Sequence, residues 1–184
     1  MIYSLSLETA LLLVGVVLIA AHTFALLRRE NVQAGLRAFP RSSGWGLLLI
    51  VIVGAWSWML IKTIDLGEFS NWRSRLLIII PVAAFLTWRY VDEFLAVRAL
   101  GMLGLLTAEP LLEAAWMRPE MVKLLLVSLV YVWITLALFW IGMPYTLRDQ
   151  IAWVQRSTAR WRNASLFGIA YGAALVISAL TLRR

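Results

Sequence analysis

The sequence has no cysteine, a single histidine, and charge on only 15% of its 184 residues. Without cysteine there are no disulfides, no thiolate metal or iron–sulfur ligands and no cysteine nucleophile. One histidine cannot supply both axial ligands of a haem from a single chain. The G-x-S-x-G elbow, H-E-x-x-H, the P-loop and G-x-G-x-x-G are all missing, so no enzymatic activity is expected. No internal repeat, low-complexity tract or long soluble linker separates the apolar runs.

What the chain has instead is apolar surface. Hydrophobic residues make up 62% of it, and its mean hydropathy is +0.83. A soluble domain is about 45–50% apolar and about 25% charged. A fold of this size could not cover so much apolar surface with so few charges. The composition therefore specifies an all-α, polytopic transmembrane helical bundle forming one integral membrane domain over 1–184. Lys and Arg total 17 against 10 Asp and Glu. In a membrane protein that excess faces anionic headgroups on the cytoplasmic side, and no nucleic-acid partner is expected.

A helix needs ~20 apolar residues to cross the hydrocarbon core. Four runs meet this plainly: 5–27, 44–62, 121–141 and 164–182. Gly142 and Pro144 end the third, since proline cannot continue the hydrogen-bond ladder. The middle of the chain is ambiguous. Residues 76–91 reach a spanning length only if Arg89 snorkels outward. Residues 94–112 are interrupted by Arg98, Glu109 and Pro110, with both charges within about one turn of an end. Six spans are preferred; the alternative is five, with 94–112 re-entrant or interfacial. Counting bases does not separate the two, because each places ten on one side and seven on the other. Clustering does. Only six spans put the two densest basic loops, 28–43 and 144–163, on the same side. Both termini then lie on the outer side of what is expected to be a bacterial cytoplasmic (inner) membrane.

Both basic loops have helical periodicity. Leu147, Ile151, Val154 and Trp161 share one face of the second, with Thr158 between them; Val32, Leu36 and Phe39 repeat the pattern in the first. They read as amphipathic helices in the headgroup plane, with Arg28, Arg29, Arg37, Arg148, Arg156, Arg160 and Arg162 toward lipid phosphates. Ordinary connecting loops, or a docking face for a soluble partner, are the alternatives. Trp45, Trp72, Trp88, Trp116, Trp140, Trp153 and Trp161 form an aromatic belt at the span ends. Trp56, Trp58 and Trp133 lie deeper and need a neighbouring helix, a lipid or a cofactor beside them.

Three polar side chains stand out within the spans. Glu109 and Glu113 are one turn apart on a helix face. A carboxylate at that depth favours its neutral form and could carry a proton or a cation, Glu109 being the deeper and more desolvated. The plain alternative is that both sit in the outer headgroup zone. His22, near the inner end of the first span, could relay protons or ligate a haem or chlorin; a hydrogen bond within the bundle explains it equally well. No other cofactor is expected. Arg89, Asp92, Glu93 and Arg98 are spaced to form a salt cluster. Ala164, Gly168 and Gly172, and likewise Gly101, Gly104 and Ala108, are small-residue stripes that let helix backbones approach.

These features favour a non-catalytic integral membrane subunit that packs within, or anchors, a larger membrane assembly through other subunits or through self-association. The alternative is a small oligomeric transporter or channel for protons, cations or a small solute, built on Glu109, Glu113 or His22.

Overall fold

The computed structural model describes residues 5–91 and 93–182. Among them are eight α-helices and no strand: α1 Leu7–Leu27, α2 Arg29–Ala38, α3 Ser43–Thr63, α4 Arg73–Tyr90, α5 Leu95–Ala115, α6 Lys123–Gly142, α7 Tyr145–Gln155 and α8 Thr158–Leu182. Six are long and apolar enough to cross a membrane: α1, α3, α4 with the 3₁₀ turn Gly67–Trp72 before it, α5, α6 and α8. The segment that a five-span chain would leave re-entrant is an unbroken 21-residue helix, α5. At ~1.5 Å per residue it covers about 31 Å, the thickness of the hydrocarbon core. Pro110 is accommodated inside it without a break.

The spanning helices run alternately up and down. The segments 28–42 and 143–157 therefore lie at one end, and the loops 64–72 and 116–122 at the other. Direct contacts bind the first two segments together: Arg37 Nε donates to Gln155 Oε1, and Gln155 Nε2 donates to the Gln33 carbonyl at 3.1 Å. The two ends differ sharply in charge. Among the described residues one carries ten bases and three acids, the other five bases and six acids.

Pairing is by neighbours. α1 lies along α8, α5 along α6, and α3 lies between α5 and α4, while a lighter contact joins α1 to α5. The largest apolar core combines α1, α5, α6 and α8 through Leu7, Leu11, Ala108, Leu126, Val130 and Leu175. These residues come from the first turns of α1 and α6 and the later turns of α5 and α8, so this core occupies the half of the bundle away from the basic end.

Three boundaries differ from the sequence expectation by three residues or more: the starts of α4 and α8, and the end of α5, which lies at Ala115 rather than 112. The basic loop 144–163 is not one amphipathic helix, because α7 stops at Gln155 and α8 begins at Thr158. Its last six residues belong to the final span, which therefore starts at 158 rather than 164. Trp161 accordingly leaves the face of Leu147, Ile151 and Val154. It is buried (6% exposed), and its indole N–H donates to the Ala25 carbonyl in the last turn of α1 at 3.1 Å. The third spanning helix, α4, begins at Arg73, not 76. The Arg73 guanidinium folds back onto the carbonyls of Lys62 (2.6 Å), Ile64 (2.8 Å) and Ile61 (3.2 Å), so this charge caps α3 instead of delaying α4.

Candidate functional site

The helix seams determine where each intramembrane polar residue ends up. α1 and α8 cross at a pair of glycines. A Cβ on Gly15 would stand 2.8 Å from the Gly172 carbonyl oxygen, and a Cβ on Gly172 would stand 2.8 Å from that of Gly15. Only glycine permits this separation, and in lipid such close backbone approach replaces the missing hydrophobic drive. Further along the same seam His22 lies on Gly168. A Cβ there would be 2.4 Å from Nε2 and Cδ2 and 2.5 Å from Cε1. The near-equal distances place the imidazole face on the glycine backbone. Nδ1 donates to the Leu18 carbonyl at 2.8 Å, which in the neutral ring assigns the proton to Nδ1. His22 is thereby engaged by its own helix and by α8.

The α8 stripe is consumed inside the chain, but not with the expected membership. Ala164 is exposed, and Ser165 takes its place, 4% exposed, in the row Trp161, Ser165, Gly168, Gly172, Leu175, Ala179. Alternating steps of four and three track a straight seam at 3.5 residues per turn. Repeated steps of four turn ~40° further round the helix at each step, which carries Ala164 out of contact. The second stripe packs against α6. A Cβ on Gly101 would meet the Ala137 carbonyl oxygen at 2.7 Å, and one on Gly104 would meet Trp133 Nε1 at 2.5 Å. Gly104 thus makes room for the mid-span indole of Trp133, whose ring also meets Trp140 edge-on at 6.5 Å.

Arg98 does not complete a salt cluster with Glu93. Its guanidinium reaches across to the Ile141 carbonyl at 2.6 Å, at the C-terminal end of α6. A cation there meets both the unpaired carbonyls and the negative pole of the helix. Asp92, the fourth member of that cluster, lies outside the described residues.

Glu109 and Glu113 share a helix face but differ in how far the chain itself encloses them. Glu109 is exposed on the outer flank of α5, and Glu113, nearer the helix end, is half-buried. Two apolar cavities lie at membrane depth. One, of about 250 Å³, is enclosed by α1, α5 and α6 around Val14, Leu18, Ala108, Leu129 and Trp133. The other is a groove of about 710 Å³ between α3 and α4, lined by Gly54, Trp58, Pro81, Ala84, Phe85 and Trp88 among others. Neither is lined by Glu109, Glu113 or His22, and these three do not converge.

Polar groups do converge at the basic end. Between α2 and α7 lies a groove of about 330 Å³ lined by Leu36, Arg37, Pro40, Arg148, Ile151, Ala152, Gln155 and Arg156. Arg148 also reaches the exposed Asp149 carboxylate at 2.8 Å. Arg28 and Arg29 stand apart at the α1–α2 junction, and Arg160 stacks on the Trp153 ring with its guanidinium carbon 4.7 Å from the centroid. Arg162 is exposed on the first turns of α8. Sequence reasoning placed Arg37, Arg148 and Arg156 at a headgroup surface but missed Gln33 and Gln155, which tie the two helices together. Uncharged amides carry no periodic signal, and their role depends on a contact between residues far apart in the chain.

No family model matches the chain, and neither does any curated protein or solved structure.

Proposed function

We infer that this protein is a non-catalytic integral membrane subunit, and that α4, with the adjoining side of α3, is the face that meets its partner within a larger membrane assembly. One observation carries this reading. Of the six spanning helices, the α4 segment is the least apolar, with a mean hydropathy of 1.2 against 2.5 for α1 and α6. Yet none of its residues is buried within the chain, whereas α5, at 1.5, is the most enclosed. In a bilayer the least apolar helix gains most from protein neighbours and the most apolar can face lipid. α4 inverts that order, and among the described residues its extensive packing against a spanning helix is with α3. A transmembrane partner across α4 restores it.

The scattered positions of His22, Glu109 and Glu113, and the apolar lining of both intramembrane cavities, weigh against the alternative of a proton or cation pathway. The excess of bases at the α2–α7 end favours a cytoplasmic location for that end and an outer location for the termini, under the rule that cytoplasmic loops collect Lys and Arg.

Since the chain has no cysteine, single substitutions give unambiguous cross-linking sites. Ile78→Cys and Phe85→Cys on α4, carried in native membranes, are expected to join the chain to a partner of one defined mass. Val16→Cys, equally exposed on α1, is expected to give none. Cross-linking from α1 and α4 alike, or from neither, would remove α4 as the partner face.

A further inference from the structure

The groove between α2 and α7 combines features that the surrounding basic surface does not share. Three guanidinium groups from two helices, those of Arg37, Arg148 and Arg156, border it, and no carboxylate lines it. Apart from Gln155, the rest of its wall is apolar: Leu36, Ile151, Ala152 and the buried Pro40. Arg37 is held in place, yet it is not neutralised. Its Nε donates to Gln155 Oε1, an uncharged acceptor, and Gln155 is itself anchored by its Nε2 to the Gln33 carbonyl. The fork of Arg37 is therefore oriented with its full charge available. Arg156 has no carboxylate partner among the described residues. Only Arg148 shares its charge, with Asp149.

Depth matters as much as composition. α2 follows directly on the end of α1, and α7 on the end of α6. The groove therefore lies at the level where hydrocarbon gives way to headgroups, at the end of the bundle that is richest in bases. A soluble anion would use the guanidinium groups and leave the apolar wall wet. An amphiphile with a phosphate uses both. Basic pockets between helices on the cytoplasmic side are the usual seat of anionic lipid headgroups, and the arginine fork matches two oxygens of one phosphate.

We propose that this groove is a specific site for an anionic phospholipid, its phosphate held by Arg37 and Arg156 with Arg148 at the rim, and its glycerol and upper acyl carbons against Leu36, Pro40 and Ile151. Occupancy would join α2 to α7, and through them α1 to α6, across the end of the bundle where the main apolar core does not reach. The site is separate from the α4 face and does not depend on it.

The test uses the full chain in detergent, titrated with phosphatidylglycerol, phosphatidylcholine and inorganic phosphate, with binding read by native mass spectrometry and by the shift in melting temperature. Phosphatidylglycerol is expected to bind and raise the melting temperature, and phosphatidylcholine and inorganic phosphate are not. Arg37→Gln with Arg156→Gln is expected to weaken phosphatidylglycerol binding about tenfold or more, since each arginine at a membrane surface contributes on the order of 1 kcal/mol. Arg160→Gln with Arg162→Gln removes the same charge outside the groove and is expected to change binding by less than about twofold, since neither guanidinium borders the groove and exposed charges at a distance are screened. Arg156→Gln alone leaves the Arg37–Gln155 contact intact and covers the case in which the double variant misfolds; it is expected to give an intermediate loss. Equal losses from the two double variants would show diffuse attraction only. Phosphatidylcholine binding as tightly as phosphatidylglycerol, or inorganic phosphate binding alone with the same dependence on Arg156, would likewise overturn the proposal.

Discussion

At the scale of single residues the bundle is organised around glycines whose missing side chains are occupied by something specific. Gly15 and Gly172 give way to each other's carbonyl, Gly168 to the His22 ring, Gly104 to the Trp133 indole. Gly172→Ala puts a methyl 2.8 Å from backbone, which cannot rotate away, and is expected to cost ~1–3 kcal/mol, the range for overpacking, in thermal or denaturant unfolding in detergent. Gly168→Ala meets a side chain instead. Its cost is expected to fall sharply in the background of His22→Ala, and a double-mutant cycle measures that coupling directly. Additive losses would mean that His22 and Gly168 are not partners. For the carboxylates the expectation is negative. Glu109→Gln and Glu113→Gln should leave pH-gradient dissipation by proteoliposomes at the level of empty liposomes, as the unsubstituted chain does. Flux that disappears with Glu109→Gln would revive the transporter reading. The sequence displayed Gly168 and Gly172 through their spacing from one another. It did not display Gly15, whose partner lies on the last helix, nor the exclusion of Ala164, which follows from the direction in which a seam runs over a helix surface.

At the scale of helices the recurring device is a donor from one element closing the C-terminal end of another. Trp161 does this for α1, Arg73 for α3 and Arg98 for α6. The last carbonyls of a helix have no partner within it, and near hydrocarbon they cannot rely on water. Arg98→Leu is expected to destabilise the chain by ~1–3 kcal/mol through the unsatisfied carbonyl and the lost charge at the helix pole, seen as a lower melting temperature. Trp161→Phe keeps the ring and removes only the N–H, so its loss should be smaller, on the order of 1 kcal/mol. A stability unchanged in both would mean that water or detergent satisfies these ends unaided. Length and hydropathy made five of the six spans legible almost to their ends. They failed where arginines bordered a span, because a sequence shows a charge but not the carbonyl toward which it turns. Arg98 read as an interruption, yet it caps α6, just as Arg73 caps α3. The break between α7 and α8 was hidden for a related reason. Apolar periodicity continues through Thr158 to Trp161, but those residues belong to the last span, where Trp161 packs on α1 and donates to the Ala25 carbonyl.

At the scale of the whole molecule the sidedness of the basic segments has a direct check. Ser43→Cys and Ser157→Cys are expected to react with an impermeant thiol reagent from the same side of the membrane, and Ser70→Cys from the other. Labelling of the first two from opposite sides would contradict the packing of α2 on α7. Six spans, their alternation and the clustering of charge were readable from the sequence. The uneven enclosure of the helices was not, since hydropathy ranks helices by solubility in lipid and says nothing of which neighbour covers them. That unevenness, a marginally apolar α4 left open by its own chain, is the basis of the subunit reading. It is tested most directly by the mass of the particle extracted from native membranes in a mild detergent. The expected result is a discrete assembly heavier than the 20.8 kDa chain, dissociated by Ile78→Arg, which places a charge on the exposed flank of α4, and kept intact by Val16→Gln on α1. A particle of one chain with lipid alone, unchanged by either substitution, would contradict it.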